Sequence, residues 1–312
     1  MRIGIIGAGG ISDTHVRAAQ AIEGVEVVAV HGHNPQKAAA LAASAGATAY
    51  DTLDAMLAHP MDIVAIGSPS ALHAEQAIAA ARRGIHVLVE KPLDVTTARI
   101  DALLAEAEKA NVRVGVIFQE RLSPEIVALK AQIDEGTLGR PLLISGFVKW
   151  YRPPEYYSTS RWRGKPELDG GGALMNQGIH TVDLLVHLFG PVARVTGRAA
   201  TRLHDIDVED TSSALLEFEN GAYGVLQAST AAYPGLPRRI EVSGTKGSVV
   251  HEEAPRPAAV ADATPHRRVF EDFLDAIRTG RRPICDGVEG RRSVAVIEAI
   301  YRSAKSGGTE TP

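Results

Sequence analysis

Cysteine is nearly absent from this chain. Cys285 is the only one in 312 residues, so no intrachain disulfide can form, a thiolate cage for a metal is excluded, and a reducing cytoplasm suits the protein. Long apolar runs are lacking as well. Each is broken by Gly, Pro or a charged residue well short of the about 18 residues a membrane helix needs, and no bilayer span is expected. Neither sign of charge dominates: the formal net charge is -4 and the basic residues are scattered, which leaves no electrostatic footprint for nucleic acid. The opening Arg2-Ile3-Gly4-Ile5-Ile6-Gly7 is not a basic segment followed by a cleavable apolar core, so secretion is not expected. Low-complexity tracts, charged tails and internal repeats are missing too, which sets disordered and solenoid classes aside.

What is present is an ordinary globular composition, 45% hydrophobic and 22% charged, in a chain long enough for two domains. Through about residue 120, short β-branched runs alternate with Ala-rich amphipathic stretches, the pattern of βαβ units on a parallel sheet. Strands are predicted at 2–6, 25–30, 63–66, 86–89 and 113–117, and helices between them include 70–83 and 96–110. After Gln119 a helix over 124–135 leads into longer strands at 142–150, 193–199, 212–217 and 223–230. Turns at Glu219-Asn220-Gly221 and Gly244-Thr245-Lys246-Gly247 point to antiparallel neighbours. Further helices are predicted at 173–189, 267–279 and 289–304, and Glu252–Pro265 reads as a loop. The fold class is an α/β Rossmann domain, 1–120, followed by an α+β domain, 121–312, on a large, mostly antiparallel sheet.

Gly7-Ala8-Gly9-Gly10-Ile11-Ser12 follows the first strand and opens a helix, the context in which a G-x-G-x-x-[G/A/S] pattern is informative. Gly7 permits the tight turn, Gly9 lets a pyrophosphate approach, small Ser12 lets helix and strand pack, and N–H groups near Gly10 and Ile11 face the phosphates. The plain alternative is a tight βα turn with no ligand. About 20 residues on, an acid is expected to accept from the ribose 2′-OH, but the segment is Val30-His31-Gly32-His33-Asn34-Pro35-Gln36-Lys37. Gly32 leaves room, and His33, Asn34 and Lys37 can donate to a 2′-phosphate, which favours NADP over NAD unless these are merely solvated loop residues. Ser68 and Pro69, after the strand at 63–66, are placed to line the nicotinamide half of the crevice.

At Glu90-Lys91-Pro92 the sequence resembles the Gfo/Idh/MocA oxidoreductases. The resemblance runs over nearly the whole chain through the glycine motif, Ser68-Pro69-Ser70-Ala71-Leu72-His73, Glu90-Lys91-Pro92, and Gly170-Gly171-Gly172 leading to Asn176-x-x-x-His180-x-x-Asp183. It implies that Lys91 is a catalytic-site residue whose ammonium polarises the reacting oxygen, that His73 and Glu90 belong to the cofactor side, and that His180 moves the proton. A lone lysine at a strand end is otherwise an unremarkable solvated group.

Asn176, His180, Asp183 and His187 fall at i, i+4, i+7 and i+11, one polar stripe on a helix. Histidine as a residue type titrates near neutrality, which makes His180 a candidate for proton transfer. Asp183 either orients that imidazole or serves a local hydrogen-bond network. A metal on the stripe is disfavoured, because a hydride site with a lysine needs no Lewis acid. The commoner family pattern has aspartate where this chain has Asn176, which cannot act as a base and is left to position substrate. That departure resembles the branch acting on nucleotide-linked sugar uronates more than the inositol branch.

Upstream, Lys149-Trp150-Tyr151-Arg152-Pro153-Pro154-Glu155-Tyr156-Tyr157 and Arg161-Trp162-Arg163 gather both tryptophans. Tyr151, Arg152, Trp162 and Arg163 read as a recognition segment for an anionic sugar, or else as an interface. Gln119 and Arg121 are further candidates for the cleft. The resulting expectation is reversible hydride transfer between a sugar, sugar acid or cyclic polyol and nicotinamide, with Lys91 and His180 from separate domains meeting at the reacting carbon. Hydrolysis or epimerisation by transient oxidation, and a non-catalytic dinucleotide sensor, are the alternatives. A homodimer or homotetramer is expected from an exposed sheet in the second domain.

Overall fold

The computed structural model describes residues 1–254 and 262–312. Contacts group the chain into two compact units, Met1–Leu122 with Pro257–Gly290, and Ser123–Arg256 with Arg291–Pro312. Among the described residues no helix is long and apolar enough to cross a membrane.

In the first unit, β1 (Arg2–Ile6), α1 (Gly10–Gln20), β2 (Glu26–His31), α2 (Pro35–Ala45), β3 (Thr48–Tyr50), α3 (Leu53–Leu57), β4 (Ile63–Ile66), α4 (His73–Ala81), β5 (His86–Glu90), α5 (Thr97–Lys109) and β6 (Val114–Ile117) alternate along the chain. The six strands are parallel and ordered β3-β2-β1-β4-β5-β6. Strands such as Ile63–Ile66 are apolar throughout because helices cover both faces. The strand order reverses between β1 and β4, and ligands in such sheets bind beyond the carboxyl ends at that point. β3 is absent from the sequence expectation: three residues at a sheet edge leave no alternation to detect. The helix expected at 70–83 is broken into a 3₁₀ turn, Ser70–Leu72, and α4.

The second unit carries α6 (Pro124–Asp134), β7 (Pro141–Lys149), α7 (Glu155–Ser158), α8 (Pro166–Asp169), a π-helical segment (Ala173–Gly178), α9 (Ile179–Phe189), β8 (Val192–Ala200), β9 (Thr211–Phe218), β10 (Tyr223–Ser229), β11 (Arg238–Gly244) and β12 (Ser248–Glu253). Its sheet runs β12-β11-β7-β10-β9-β8, antiparallel except for β7 with β10. One face packs on α9: a Cβ at Gly146 of β7 would lie 2.9 Å from Thr181. The opposite face leaves Leu143, Leu215, Tyr223 and Val250 exposed. The turn at 244–247 joins β11 to β12, so Glu252 and Glu253 are strand rather than loop. The rest of the expected loop at 252–265 lies partly outside the described residues.

The last two helices are α10 (Thr264–Thr279) and α11 (Gly287–Ser306). The sequence reading assigns α10 to the second domain, but its contacts are with the first unit. Val269, Phe270, Phe273 and Leu274 complete a core with Ile3, Ile5, Ile63 and Leu88. Helical period reveals which face of α10 is apolar, and says nothing of which sheet receives it. Gly115 in β6 makes the docking possible, since a Cβ there would lie 2.7 Å from the Phe273 ring. Gly115→Ala is therefore expected to lower unfolding free energy by about 1–3 kcal/mol, the usual scale of overpacking. Urea denaturation measures it, and an unchanged midpoint contradicts the packing account.

Candidate active site

The glycine turn is built by close passage of strand ends. Gly7 has φ +114°, and a Cβ there would lie 2.7 Å from the Gly67 carbonyl oxygen, so both the backbone angle and the space demand glycine. Gly7 N donates to His31 O and Gly67 N to Ile6 O, each at 2.7 Å, which fastens the ends of β1, β2 and β4 together. Ser12 is fully buried beneath this turn. In front of α1 the situation is reversed: a Cβ at Gly9 or Gly10 meets nothing within 4 Å, and no side chain caps the helix. An uncapped helix N-terminus facing open space fits a dinucleotide pyrophosphate.

At the end of β2, a Cβ on Gly32 would lie 2.8 Å from the Ala8 side chain. The missing side chain there serves packing against the glycine turn, where the sequence reading has it making room for a phosphate. His33, Asn34 and Lys37 are exposed. Asn34 Oδ1 accepts from Lys37 N at 3.0 Å and caps α2, so its amide oxygen is engaged locally.

At the end of β5 the buried Glu90 meets two imidazoles. Its Oε1 lies 3.1 Å from His15 Nε2 of α1 and 3.4 Å from His266 Nε2 of α10, and its Oε2 accepts from Lys91 N at 3.1 Å. Burial penalises the Glu90 carboxylate, but the donors from His15 and His266 outweigh it and hold the carboxyl well below its ordinary range. Burial pushes His15 down against the pull of Glu90. Lys91 follows at the sheet's carboxyl edge, half-buried, with a cis peptide to Pro92. Beside it, His73 is buried with Nδ1 2.8 Å from Pro92 O and Nε2 2.9 Å from Ser68 O, while Ser68 Oγ donates to Gln76 Oε1 at 2.6 Å.

In the second unit, the Gly170-Gly171-Gly172 run yields to its neighbours. A Cβ at Gly172 would lie 1.9 Å from Glu209 O, and one at Gly171 2.2 Å from the Tyr301 hydroxyl. The Glu209 carboxylate accepts from Gly172 N (2.9 Å), Leu174 N (2.8 Å) and Tyr301 OH (2.9 Å). Burial pushes the Glu209 carboxyl up, and the donors from Leu174 and Gly172 oppose it. The chain then enters α9 through the wider π turn, so Asn176 lies outside the regular 3.6-residue repeat that carries His180, Asp183 and His187. Its Nδ2 donates to Asp169 Oδ1 at 2.7 Å and its Oδ1 accepts from Gln177 Nε2 at 2.9 Å. Asp183, buried within α9, accepts from Ser293 Oγ at 3.1 Å.

Gln177 also donates to Tyr156 OH at 2.7 Å and accepts from Arg152 Nη2 at 3.0 Å. Two guanidinium groups lie over the Tyr156 ring, Arg163 at 4.3 Å and Arg152 at 5.4 Å from its centroid. Arg152 also stacks on Trp150 and Arg163 on Trp162, each at 5.2 Å. The buried Arg163 Nε has no hydrogen-bond partner. Cationic forks, an aromatic ring and the π turn before His180 thus form one connected network.

These features agree with what the chain is similar to. Residues 1–118 match the model described as an oxidoreductase family with an NAD-binding Rossmann fold, and residues 126–250 match the GFO/IDH/MocA C-terminal domain. Inositol 2-dehydrogenase 2 of Saccharopolyspora erythraea is 30% identical over 99% of this chain and 94% of its own. The chain belongs to the Gfo/Idh/MocA family. Inositol 2-dehydrogenase of Rhizobium meliloti is 28% identical over 97% of this chain and 96% of its own. The WlbA dehydrogenase of Bordetella pertussis, solved with NADH and UDP-GlcNAcA, is 34% identical with a TM-score of 0.93, over 100% of this chain and 97% of that one. As a family member this chain is a dinucleotide-dependent oxidoreductase.

Family membership does not fix the part each expected residue plays. Gly7, Gly9, Gly10, Ile11, Ser68 and Pro69 sit where the first sheet's strands end, as expected, as does Lys91. Glu90 and His73 instead turn inward, one onto His15 and His266, the other onto two backbone carbonyls. Arg121 is buried and pairs with Glu289 at 3.1 Å, an internal brace where the sequence suggests a cleft residue, while the neighbouring Gln119 is half-buried. Tyr151 bridges to Ala231 and packs edge-on against Tyr233, whereas Arg152, Trp162 and Arg163 do gather. Sequence reasoning misses His15, His266, Asp169, Gln177, Glu209 and Tyr301. His15 and His266 each leave a signal, a polar residue on the buried face of a helix.

Both Glu90 and His15 bind protons less readily in the fold than in the unfolded chain. Their stabilisation is complete above the unfolded values and is lost as pH falls through the folded ones, below the ordinary carboxylate range for Glu90. Unfolding midpoints compared at about pH 6 and about pH 3 should fall more steeply for the native chain than for Glu90→Gln. Equal slopes would contradict a charged Glu90.

Proposed function

We propose that this oxidoreductase transfers a hydride between nicotinamide and a carbinol carbon of a negatively charged, nucleotide-linked sugar of the hexuronate class. The observation that carries the reading is the stacking of Arg152 and Arg163 about Tyr156, continued through Gln177 to Asn176 and the start of α9. Guanidinium forks grip carboxylate or phosphate, and aromatic faces take sugar rings. The UDP-GlcNAcA held by WlbA has that chemistry.

When bound, the dinucleotide accepts or donates the hydride. Gly9, Gly10 and Ile11 would receive its pyrophosphate at the α1 terminus, and Ser68 and Pro69 would line the nicotinamide side. In oxidation the hydroxyl proton goes to the His180 imidazole while the carbinol hydrogen leaves with its electron pair, and the alcohol becomes a carbonyl. The Lys91 ammonium holds the oxygen and stabilises its alkoxide character. Asn176 holds the helix start through Asp169 and Gln177 and takes no proton.

Turnover of nucleotide-linked uronates and of the matching neutral hexoses decides the substrate class. Higher kcat/KM on the acids is expected, and Arg163→Ala should raise KM for acids about 10- to 100-fold, the worth of one charged hydrogen bond. Equal rates on both sets, or an unchanged KM, would remove the anionic reading. For the cofactor, exposed His33 and Lys37 in a 30–37 segment without an acid favour a 2′-phosphate, although the WlbA structure carries NADH. Fluorescence titration should give tighter binding of NADPH than NADH, and equal quenching would make these residues mere solvated neighbours.

A further inference from the structure

The first unit contains a charged group with no place in the chemistry above. Glu90 is 7% exposed and His15 and His266 are 0% and 2% exposed, and all three come from different elements. A carboxylate enters an interior at a cost of several kcal/mol unless donors surround it, and an apolar side chain would fill the same space without that cost. Glu90 has three donors: His15 from the helix with the uncapped N-terminus, His266 from α10, and the backbone N–H of Lys91.

We propose that His15 and His266 are positioning residues for the hydride step: through Glu90 they lock the Lys91 turn to the helix that receives the dinucleotide. The inference rests on the reading of Lys91 as the group that holds the substrate oxygen. A carboxylate only accepts hydrogen bonds, so each Nε2 carries the proton and each Nδ1 is a bare acceptor. Both Nδ1 atoms are buried without a partner, which suits this tautomer. The same fact argues against a divalent cation among the three. An ion would take the Nε2 lone pairs and leave two buried Nδ1–H donors with nothing to receive them, whereas metal-bound imidazoles nearly always have that second partner. The Phe270 ring packs beside His15 at 5.9 Å and supplies none.

Fixing Lys91 through Glu90 matters because displacement of a reacting group by about 1 Å costs on the order of 100-fold in rate. A double-mutant cycle on kcat tests the proposal, with His266→Leu, Glu90→Gln and the pair, alongside His15→Leu, His15→Gln and Lys91→Ala. His266→Leu and His15→Leu should lower kcat roughly 10- to 100-fold while KM and NADH dissociation constants move by less than about threefold. His15→Gln, which keeps a donor near the Nε2 position, should recover most of the rate. In the Glu90→Gln background His266→Leu should cost little more, since the two act as one unit.

Full kcat in both leucine variants, or additive losses that follow melting temperature and are not rescued by glutamine, would overturn the proposal. So would a stoichiometric metal in the purified native chain that His15→Gln loses. If the leucine variants fail to fold, the glutamine variants alone decide: Glu90→Gln must lose rate and His15→Gln must retain it. Retained kcat in Lys91→Ala would sink the reading of Lys91 itself. An inert Lys91→Ala beside fully active histidine variants sinks only the positioning role.

Discussion

One carboxylate, Glu90, lies where a strand, two helices and a lysine turn meet, and much of the first unit is arranged to keep it charged. Without donors it would be among the costliest groups in the core. With His15 and His266 on one oxygen and the Lys91 amide on the other, it becomes a fixed point between α1, α10 and β5. That requirement accounts for an otherwise odd topology, in which a helix more than 140 residues beyond the sixth strand returns to the first unit. Its apolar face completes the core, and its histidine completes the donor set.

The second unit also holds a buried carboxylate with donors, although there burial prevails and pushes the carboxyl up. Glu209 is a buried carboxylate that accepts from the amides of Gly172 and Leu174 and from Tyr301, at the wider turn through which the chain enters α9. Asp169 and Gln177 then hold the Asn176 amide from both ends. In each unit an internal carboxylate holds backbone, Lys91 N in the first and Gly172 N and Leu174 N in the second, and the residue proposed to carry the chemistry, Lys91 or His180, lies at or a few residues beyond that backbone. Hydrogen bonds to charged acceptors are the strong ones, which makes them suited to geometry that must not drift.

Much of this was legible in the sequence, and the limits are physical. The glycine pattern, the parallel sheet and the strand-end placement of Lys91 follow from local periodicity and from glycines whose positions are forced, as the clash of any Gly7 Cβ with Gly67 makes plain. The inward turn of Glu90 was not legible, because its partners lie 75 residues before and 176 residues after it and only packing brings them together. Arg121 misled for a related reason: an arginine beside a domain junction looks available until Glu289 is seen to pair with it. The stripe from Asn176 to His187 assumed one helical period, and the π turn breaks it at the first member. Residues 149–163 announce an aromatic and cationic cluster, but only the fold separates Arg152 and Arg163, which stack on Tyr156, from Tyr151, which packs on Tyr233.

The proposed reaction requires a carbinol hydrogen to leave as hydride toward the dinucleotide, with the hydroxyl proton handled by the protein. A single turnover with a nucleotide-linked uronate deuterated at its carbinol carbons, followed by mass analysis of the dinucleotide, measures this directly. Deuterium recovered in the reduced nicotinamide, with an oxidised sugar released, is the expected result. Deuterium that washes into solvent, or returns to the sugar with no net reduction of the dinucleotide, would contradict it.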